Sequence, residues 1–271
     1  MTNRVVPGQE EHVSKLDTSQ PHSARIWNYW LGGKDNFAVD RQVGDQVREV
    51  FPGIVENARA SRAFLGRAVR HLAANRGVRQ FLDLGTGLPT ADNTHEIAQS
   101  VAPESRVVYV DNDPLVLVHA RALLTSSPEG VTDYVEADVR DTDTILREAR
   151  RVLDLSRPVG LVMLGILGNI PDDAEAGSIV DRLIAAVPSG SYLVVNDGTN
   201  TSDEIAAGAR VSGEGGHQYT LRHPDQIAAY FTGLELEAPG VVPTTAWRPD
   251  TAASAGSSAR LDGYCGVGRK P

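Results

Sequence analysis

Residues 80–90, Gln-Phe-Leu-Asp-Leu-Gly-Thr-Gly-Leu-Pro-Thr, constrain the fold more than any other stretch of this chain. A short apolar run ends in Asp83, turns through Gly85, Thr86 and Gly87, and passes into helix-forming sequence. This is the layout of a strand handing over to a helix across a loop that bends sharply and approaches a ligand, which glycine permits because it has no Cβ. The alternation then repeats. Strands are expected at 80–84, 106–111, 132–136, 159–164 and 191–196, with a late pair near 234–238 and 263–267. Between them helical patterns cover 92–101, 114–124, 141–152 and 174–187, and Asp113-Pro114 supplies a capping acid followed by a helix-opening proline. Such a pattern predicts an α/β fold: a Rossmann-like sheet of about seven mostly parallel strands with helices on both faces.

The first third of the chain reads differently. Residues 1–20 are polar without apolar period and are expected to form a loose arm. Residues 23–31 predict a short helix stopped by Gly32-Gly33, and 38–50 and 55–74 predict two more, the last with Ala58, Phe64, Leu65, Ala68, Val69 and Leu72 at helical spacing. The expected organisation is an arm (1–20), a helical N-terminal cap (21–75) and a cofactor-binding catalytic domain (76–271). The glycine-rich 212–216 reads as a mobile loop near the site, and 251–258 as a surface loop. Cys265, the single cysteine, lies in an apolar run and reads as a buried strand residue.

Bulk properties exclude several partners. A net charge of -9 gives no global attraction to phosphate backbones, so nucleic acid is not expected. No apolar run approaches the roughly 18 residues that suggest a membrane span, and the first residues carry no signal segment, so a cytoplasmic protein is expected. No histidine or cysteine spacing supports a metal site. The oligomeric state stays open.

An open parallel sheet binds its ligand at the carboxyl ends of its strands, and here those ends are acidic three times: Asp83, Asp111 and Asp138. A carboxylate at the second strand end suits two adjacent ribose hydroxyls, because its two oxygens accept from two neighbouring donors. Asp138 can accept from an adenine amino group, with Val139 as an apolar flank. A dinucleotide fingerprint would require a third glycine where Thr90 stands. Asp83 beside the turn would repel a pyrophosphate but attract a cationic cofactor such as S-adenosylmethionine.

Asp83-Leu84-Gly85-Thr86-Gly87, Tyr109-Val110-Asp111-Asn112-Asp113 and Ala137-Asp138-Val139 resemble the cofactor motifs of class I S-adenosylmethionine-dependent methyltransferases. More narrowly, residues 21–29 (Pro-His-Ser-Ala-Arg-Ile-Trp-Asn-Tyr), the run Leu31-Gly32-Gly33-Lys34-Asp35-Asn36-Phe37, residues 81–93, 107–114 and 266–270 resemble the actinobacterial S-adenosyl methyltransferase family once catalogued as a domain of unknown function. The resemblance runs from about Pro21 to the end. It implies a class I methyltransferase sheet with S-adenosylmethionine as cofactor. Asp83, Gly85, Thr86 and Gly87 would hold its methionine part, Asp111 and Asn112 its ribose, and Asp138 and Val139 its adenine, with Gly165 after the fourth strand completing the cradle. It also implies that the N-terminal helices cap the cofactor, with Arg25, Tyr29, Lys34 and Asp35 as polar candidates and Gly32-Gly33, Gly33 in particular, allowing close backbone approach to the ligand; a helix end with solvated charges is the alternative. Trp27, Trp30 and Phe37 read as the wall of an apolar substrate pocket or as core.

Relatives in that family often carry two histidines where Gly168-Asn169 stands here, so a base of that kind is missing. Asn169 could orient a substrate amine or cap the helix that follows, and Asp197, in Asn196-Asp197-Gly198, could act as base or form a turn. His217 and His223 fall where a substrate lid would lie. The expected function is N- or O-methylation of a small molecule, in specialised metabolism. The alternatives are a lyase or cyclase that consumes S-adenosylmethionine and releases methylthioadenosine, and a catalytically inactive protein that binds it.

Overall fold

The computed structural model describes residues 17–90, 92–123, 125–249 and 261–271. Most of the expected arm (1–16) and the expected surface loop at 251–258 lie outside the described residues. Helices α1 (Ser23–Trp30), α2 (Ala38–Val50) and α3 (Ile54–Asn75) precede the sheet. There follow β1 (Gln80–Leu84), α4 (Thr94–Val101), β2 (Arg106–Asp111), α5 (Pro114–Leu123), β3 (Val131–Glu136), α6 (Thr142–Ala149), β4 (Gly160–Leu164), α7 (Asp173–Ala185) and β5 (Tyr192–Gly198). Helices α8 (Asp203–Glu214) and α9 (Pro224–Ala229) and strands β6 (Glu235–Leu236), β7 (Val242–Pro243) and β8 (Gly263–Arg269) complete the chain.

The sheet order is β3-β2-β1-β4-β5-β8-β6, with β7 also on β8. The pairs among β1 to β5 are parallel and those made by β8 are antiparallel, so the sheet is of the expected mostly parallel kind. Strand order reverses between β1 and β4, which opens a crevice at the carboxyl ends of those strands.

Side chains alternate along each strand, so each strand feeds two apolar layers. Leu82, Leu84, Val108, Val110, Leu161, Met163, Leu193 and Val195 face one core, which takes Ile145 from α6, Ile179 and Leu183 from α7 and Ile227 from α9. Phe81, Val107, Tyr109, Val162, Val194 and Val267 face the other, under Phe64, Ala68 and Leu72 of α3 and Ile97 of α4. Cys265 is buried in this second core, where burial pushes its thiol above the ordinary value. Within residues 21–75, therefore, α3 belongs to the core. Helices α1 and α2 instead form a small apolar cluster through Ile26, Val43 and Val47, joined by Val211 of α8.

Two expectations change. Residues 212–214 of the glycine-rich segment are the last residues of α8, a helix of which Ser202 is the N-cap through its side chain and the Ile205 amide. At Asn196-Asp197-Gly198, where a turn is one of two readings and the expected strand ends at Asn196, the chain continues as strand: all three residues pair with β8 in antiparallel register. The β-branched run before them continues into the ladder, and partner strand β8 overrides the turn preference of the Asn-Asp-Gly sequence.

Candidate active site

One cavity of about 420 Å³ opens at the carboxyl ends of the parallel strands. Asp83, Asp111, Asp138 and Asp197 all line it, together with Gly85, Thr86, Gly87, Asn112, Val139, Gly165 and Asn169. The parallel register explains the convergence: Leu84 pairs with Val110 and with Met163, and Leu164 pairs with Asn196, so four strands end side by side.

The turn after β1 is held by amides of Gly85 and Thr86 donating to Val110 O at 2.8 and 3.2 Å. Gly85 and Gly87 have φ of +68° and +67°, a conformation that β-carbons disfavour. Asp111 accepts from the Gly87 amide on Oδ2 and from the Asp113 amide on Oδ1, each at 2.9 Å. Each oxygen keeps a further lone pair for a ligand. Burial raises the Asp111 carboxyl above its ordinary value.

Asp83 faces the α3 and α4 side, accepting from Thr94 Oγ1 at 2.5 Å. Burial lifts its carboxyl to about 6, with the Thr94 bond and the Arg62 charge pulling the other way. Arg62, from α3, also lines the cavity and donates through Nη2 to Asp92 O at 3.0 Å. A carboxylate and a guanidinium at one end of a cavity suit the ammonium and carboxylate of an amino-acid ligand. Asp138, at the third strand end, accepts from the Arg140 amide at 2.9 Å and from its guanidinium.

The N-terminal candidates lie elsewhere. Arg25 is 3% exposed, with Nε 3.2 Å from Asp113 Oδ2 and the guanidinium donating to the carbonyls of Asp17 and Gln20. It does not line the cavity; it ties α1 to the loop after β2, and so stands behind Asp111 rather than beside a ligand. The Tyr29 hydroxyl donates to Asp45 of α2 at 2.6 Å, which raises its phenol. A Cβ at Gly33 would fall 2.2 Å from Asn28 Nδ2. Asn28 Oδ1 accepts from the Asp35 amide and the Asn36 side chain at 3.1 and 2.9 Å, so residues 33–36 fold around that amide. Lys34 is exposed and off the cavity wall, and Asp35 reaches only as far as His119, at 3.8 Å. The short polar segment that looks like a ligand loop in sequence is a knot about Asn28.

Trp27 and Trp30 do line the cavity, as do Phe51, Ile54 and Leu65, while Phe37 lies under the Arg25 guanidinium instead. Asn169 sits in a single 3₁₀ turn after β4 with Nδ2 donating to Gly165 O and Ile166 O at 3.1 and 3.3 Å. The cap of α7 is Asp172, which accepts from the Glu175 amide at 2.8 Å. His217 lines the cavity and burial pushes its imidazole down to about 4; His223 caps α9. Asp197 is 4% exposed and held up to about 6 by burial. Two cavity residues carry no signal in the sequence. Arg62 is one arginine among several on a long helix, and Tyr219 follows a polar glycine-rich run. Among the described residues no cluster of histidine, cysteine or carboxylate groups is placed to hold a metal ion. No helix among them is long and apolar enough to cross a membrane.

A model of the S-adenosyl methyltransferase family matches residues 9–271. A DUF574-family protein from Streptomyces avermitilis is 47% identical, with a TM-score of 0.91 over 94% of this chain and 99% of its own. A proposed methyltransferase from Thermobifida fusca is 41% identical, with a TM-score of 0.86 over 94% of this chain and 96% of its own. Magnesium protoporphyrin IX methyltransferase from Synechocystis, at 11% identity and a TM-score of 0.53, shares the fold. Among curated proteins nothing matches the chain. The family match over nearly the whole sequence identifies the chain as a member of the S-adenosyl methyltransferase family, an enzyme that uses S-adenosylmethionine as methyl donor.

Proposed function

We propose that this enzyme methylates an oxygen or nitrogen of a small aromatic molecule. The observation that carries the reading is that one cavity takes in both the three strand-end acids and an apolar wall, the proposed acceptor chamber, of Trp27, Trp30, Phe51, Ile54 and Leu65. A volume of about 420 Å³ is on the scale of a small-molecule site rather than a groove for a polymer. The donor set fits the cofactor. Asp83 would take the methionine ammonium and Arg62 its carboxylate, the two free lone pairs of Asp111 the ribose hydroxyls, and Asp138 with Val139 the adenine.

S-adenosylmethionine supplies an electrophilic methyl carbon whose bonding pair to sulfur stays on sulfur as the acceptor's lone pair takes the methyl. The protein's share is to align the acceptor, exclude water and remove the acceptor's proton. The apolar wall serves the first two tasks. Helices α1 and α2, of the expected cap at 21–75, cluster with α8 and would cover the cofactor, and Arg25 fixes them to the loop that follows Asp111.

The test is incubation with methyl-labelled S-adenosylmethionine and a panel of phenols and aromatic amines. Labelled product and S-adenosylhomocysteine in equal amounts are expected. Methylthioadenosine released without any acceptor would contradict the reading in favour of a lyase.

A further inference from the structure

Tyr219 lies between α8 and α9, and its ring occupies the space over Gly168. A Cβ built on Gly168 would fall 2.2 Å from Tyr219 Cζ, so the glycine and the ring require one another. The segment is pinned there. Thr220 N donates to Gly168 O at 2.7 Å, and Arg222, 2% exposed, donates to Leu167 O and Ile170 O at 2.7 and 2.6 Å. The Tyr219 hydroxyl thereby reaches Asp197 and donates to its Oδ1.

Asp197 also accepts from the Gly198 amide on Oδ1 at 3.1 Å and from the Gly168 amide on Oδ2 at 3.0 Å. A carboxylate offers about four acceptor positions, and three are filled. The remaining lone pair on Oδ2 and the lone pairs of the Tyr219 oxygen belong to two side chains that both line the cavity. Burial raises the Tyr219 phenol well above its ordinary value and lifts the Asp197 carboxyl, so the phenol keeps its proton at neutral pH while the carboxylate is a ready acceptor.

We infer that Tyr219 and Asp197 are the proton-accepting pair of the reaction, and that the acceptor is an uncharged phenol or aromatic amine whose O–H or N–H donates to the Tyr219 oxygen. The inference rests on the proposed reading of the chamber as the acceptor site. As the acceptor's lone pair forms its bond to the methyl carbon, the acceptor's proton passes to the Tyr219 oxygen and the phenolic proton passes to Asp197 Oδ1. Tyr219 ends neutral, Asp197 ends as a carboxylic acid, and that proton returns to water after product leaves. Gly168 has no side chain to offer, and the Tyr219 ring stands in the space one would fill.

The test uses the full chain saturated with S-adenosylhomocysteine and three rings of similar size: phenol, aniline and toluene. Dissociation constants are measured by protein-observed NMR for the wild type, Tyr219→Phe and Asp197→Asn. Phenylalanine keeps the ring over Gly168 and removes only the hydroxyl. Phenol and aniline should bind the wild type about tenfold more tightly than toluene, as one hydrogen bond allows. Tyr219→Phe should lose that preference, whereas Asp197→Asn, which keeps the Tyr219 oxygen, should retain it in binding but lose methyl transfer; toluene binding should be unchanged in both. Equal affinities for the three rings, no binding of any, or a preference that survives Tyr219→Phe overturns the inference. Affinity for S-adenosylhomocysteine, measured on each protein, reports separately on the cofactor site: a wild type that does not bind it overturns the cofactor assignments instead.

Discussion

Asp83 shows how a single buried carboxyl couples stability to ligand binding. Its ordinary value is 3.8 and burial lifts it to about 6 in the folded chain. Between those values the folded chain holds a proton that the unfolded chain has released, so this group's contribution is fully present below about pH 4 and is lost as pH rises through 6. A cationic ligand requires the ionised form, so affinity for S-adenosylmethionine should fall as pH drops below about 6, by up to tenfold per unit. Asp83→Asn should weaken binding at pH 8 at least tenfold, flatten the pH dependence between 5 and 7, and raise the ligand-free melting temperature at pH 8. Calorimetric titration and thermal unfolding check these; wild-type affinity in the variant would contradict the assignment. Residue identity made Asp83, Asp111 and Asp138 legible in the sequence, because a strand end is a fixed place in a parallel sheet. Arg62 and Tyr219 were not legible. Their positions depend on how α3 and the segment after α8 lie across the strand ends, which no local pattern encodes.

At the scale of elements, α1 illustrates the difference between finding a helix and finding its job. Its extent follows from apolar spacing and the Gly32-Gly33 stop, yet Arg25 and Tyr29, the polar residues expected at the ligand, do not line the cavity. Arg25 is spent on Asp113, Asp40 and two carbonyls, with Asp40 itself fully buried. Arg25→Ala would leave two buried carboxylates without their cation, which costs about 3 kcal/mol. Arg25→Lys should recover only part, because an ammonium lacks the planar fork that serves several acceptors at once. Denaturant unfolding of both variants measures this, and an alanine variant as stable as wild type would contradict the clasp. The same reasoning applies at 196–198: Asn-Asp-Gly can form a turn locally, but pairing with β8 recruits it into strand and brings Asp197 to Tyr219. The late helices α8 and α9 escaped a reading by periodicity because the first is rich in alanine and glycine and the second spans only six residues.

For the whole molecule, the sheet was the most legible feature. Strands that are buried on both faces read as continuous apolar runs, and β1 and β2 appear where the sequence places them, residue for residue. Helix α3 was legible as a helix but not as core: its apolar stripe fits a cap or a sheet face equally, and only packing on Phe81 and Val107 decides. The molecule as a whole brings the three acids, the tryptophans of α1 and the loops after β4 and β5 to the wall of one cavity. The most direct test is a crystal structure of the protein with S-adenosylhomocysteine. It should show the ribose hydroxyls on Asp111, the adenine beside Asp138 and Val139, and the sulfur facing the chamber walled by Trp27, Trp30 and Tyr219. A ligand bound outside this cavity, or a sulfur turned away from that chamber, would contradict the account.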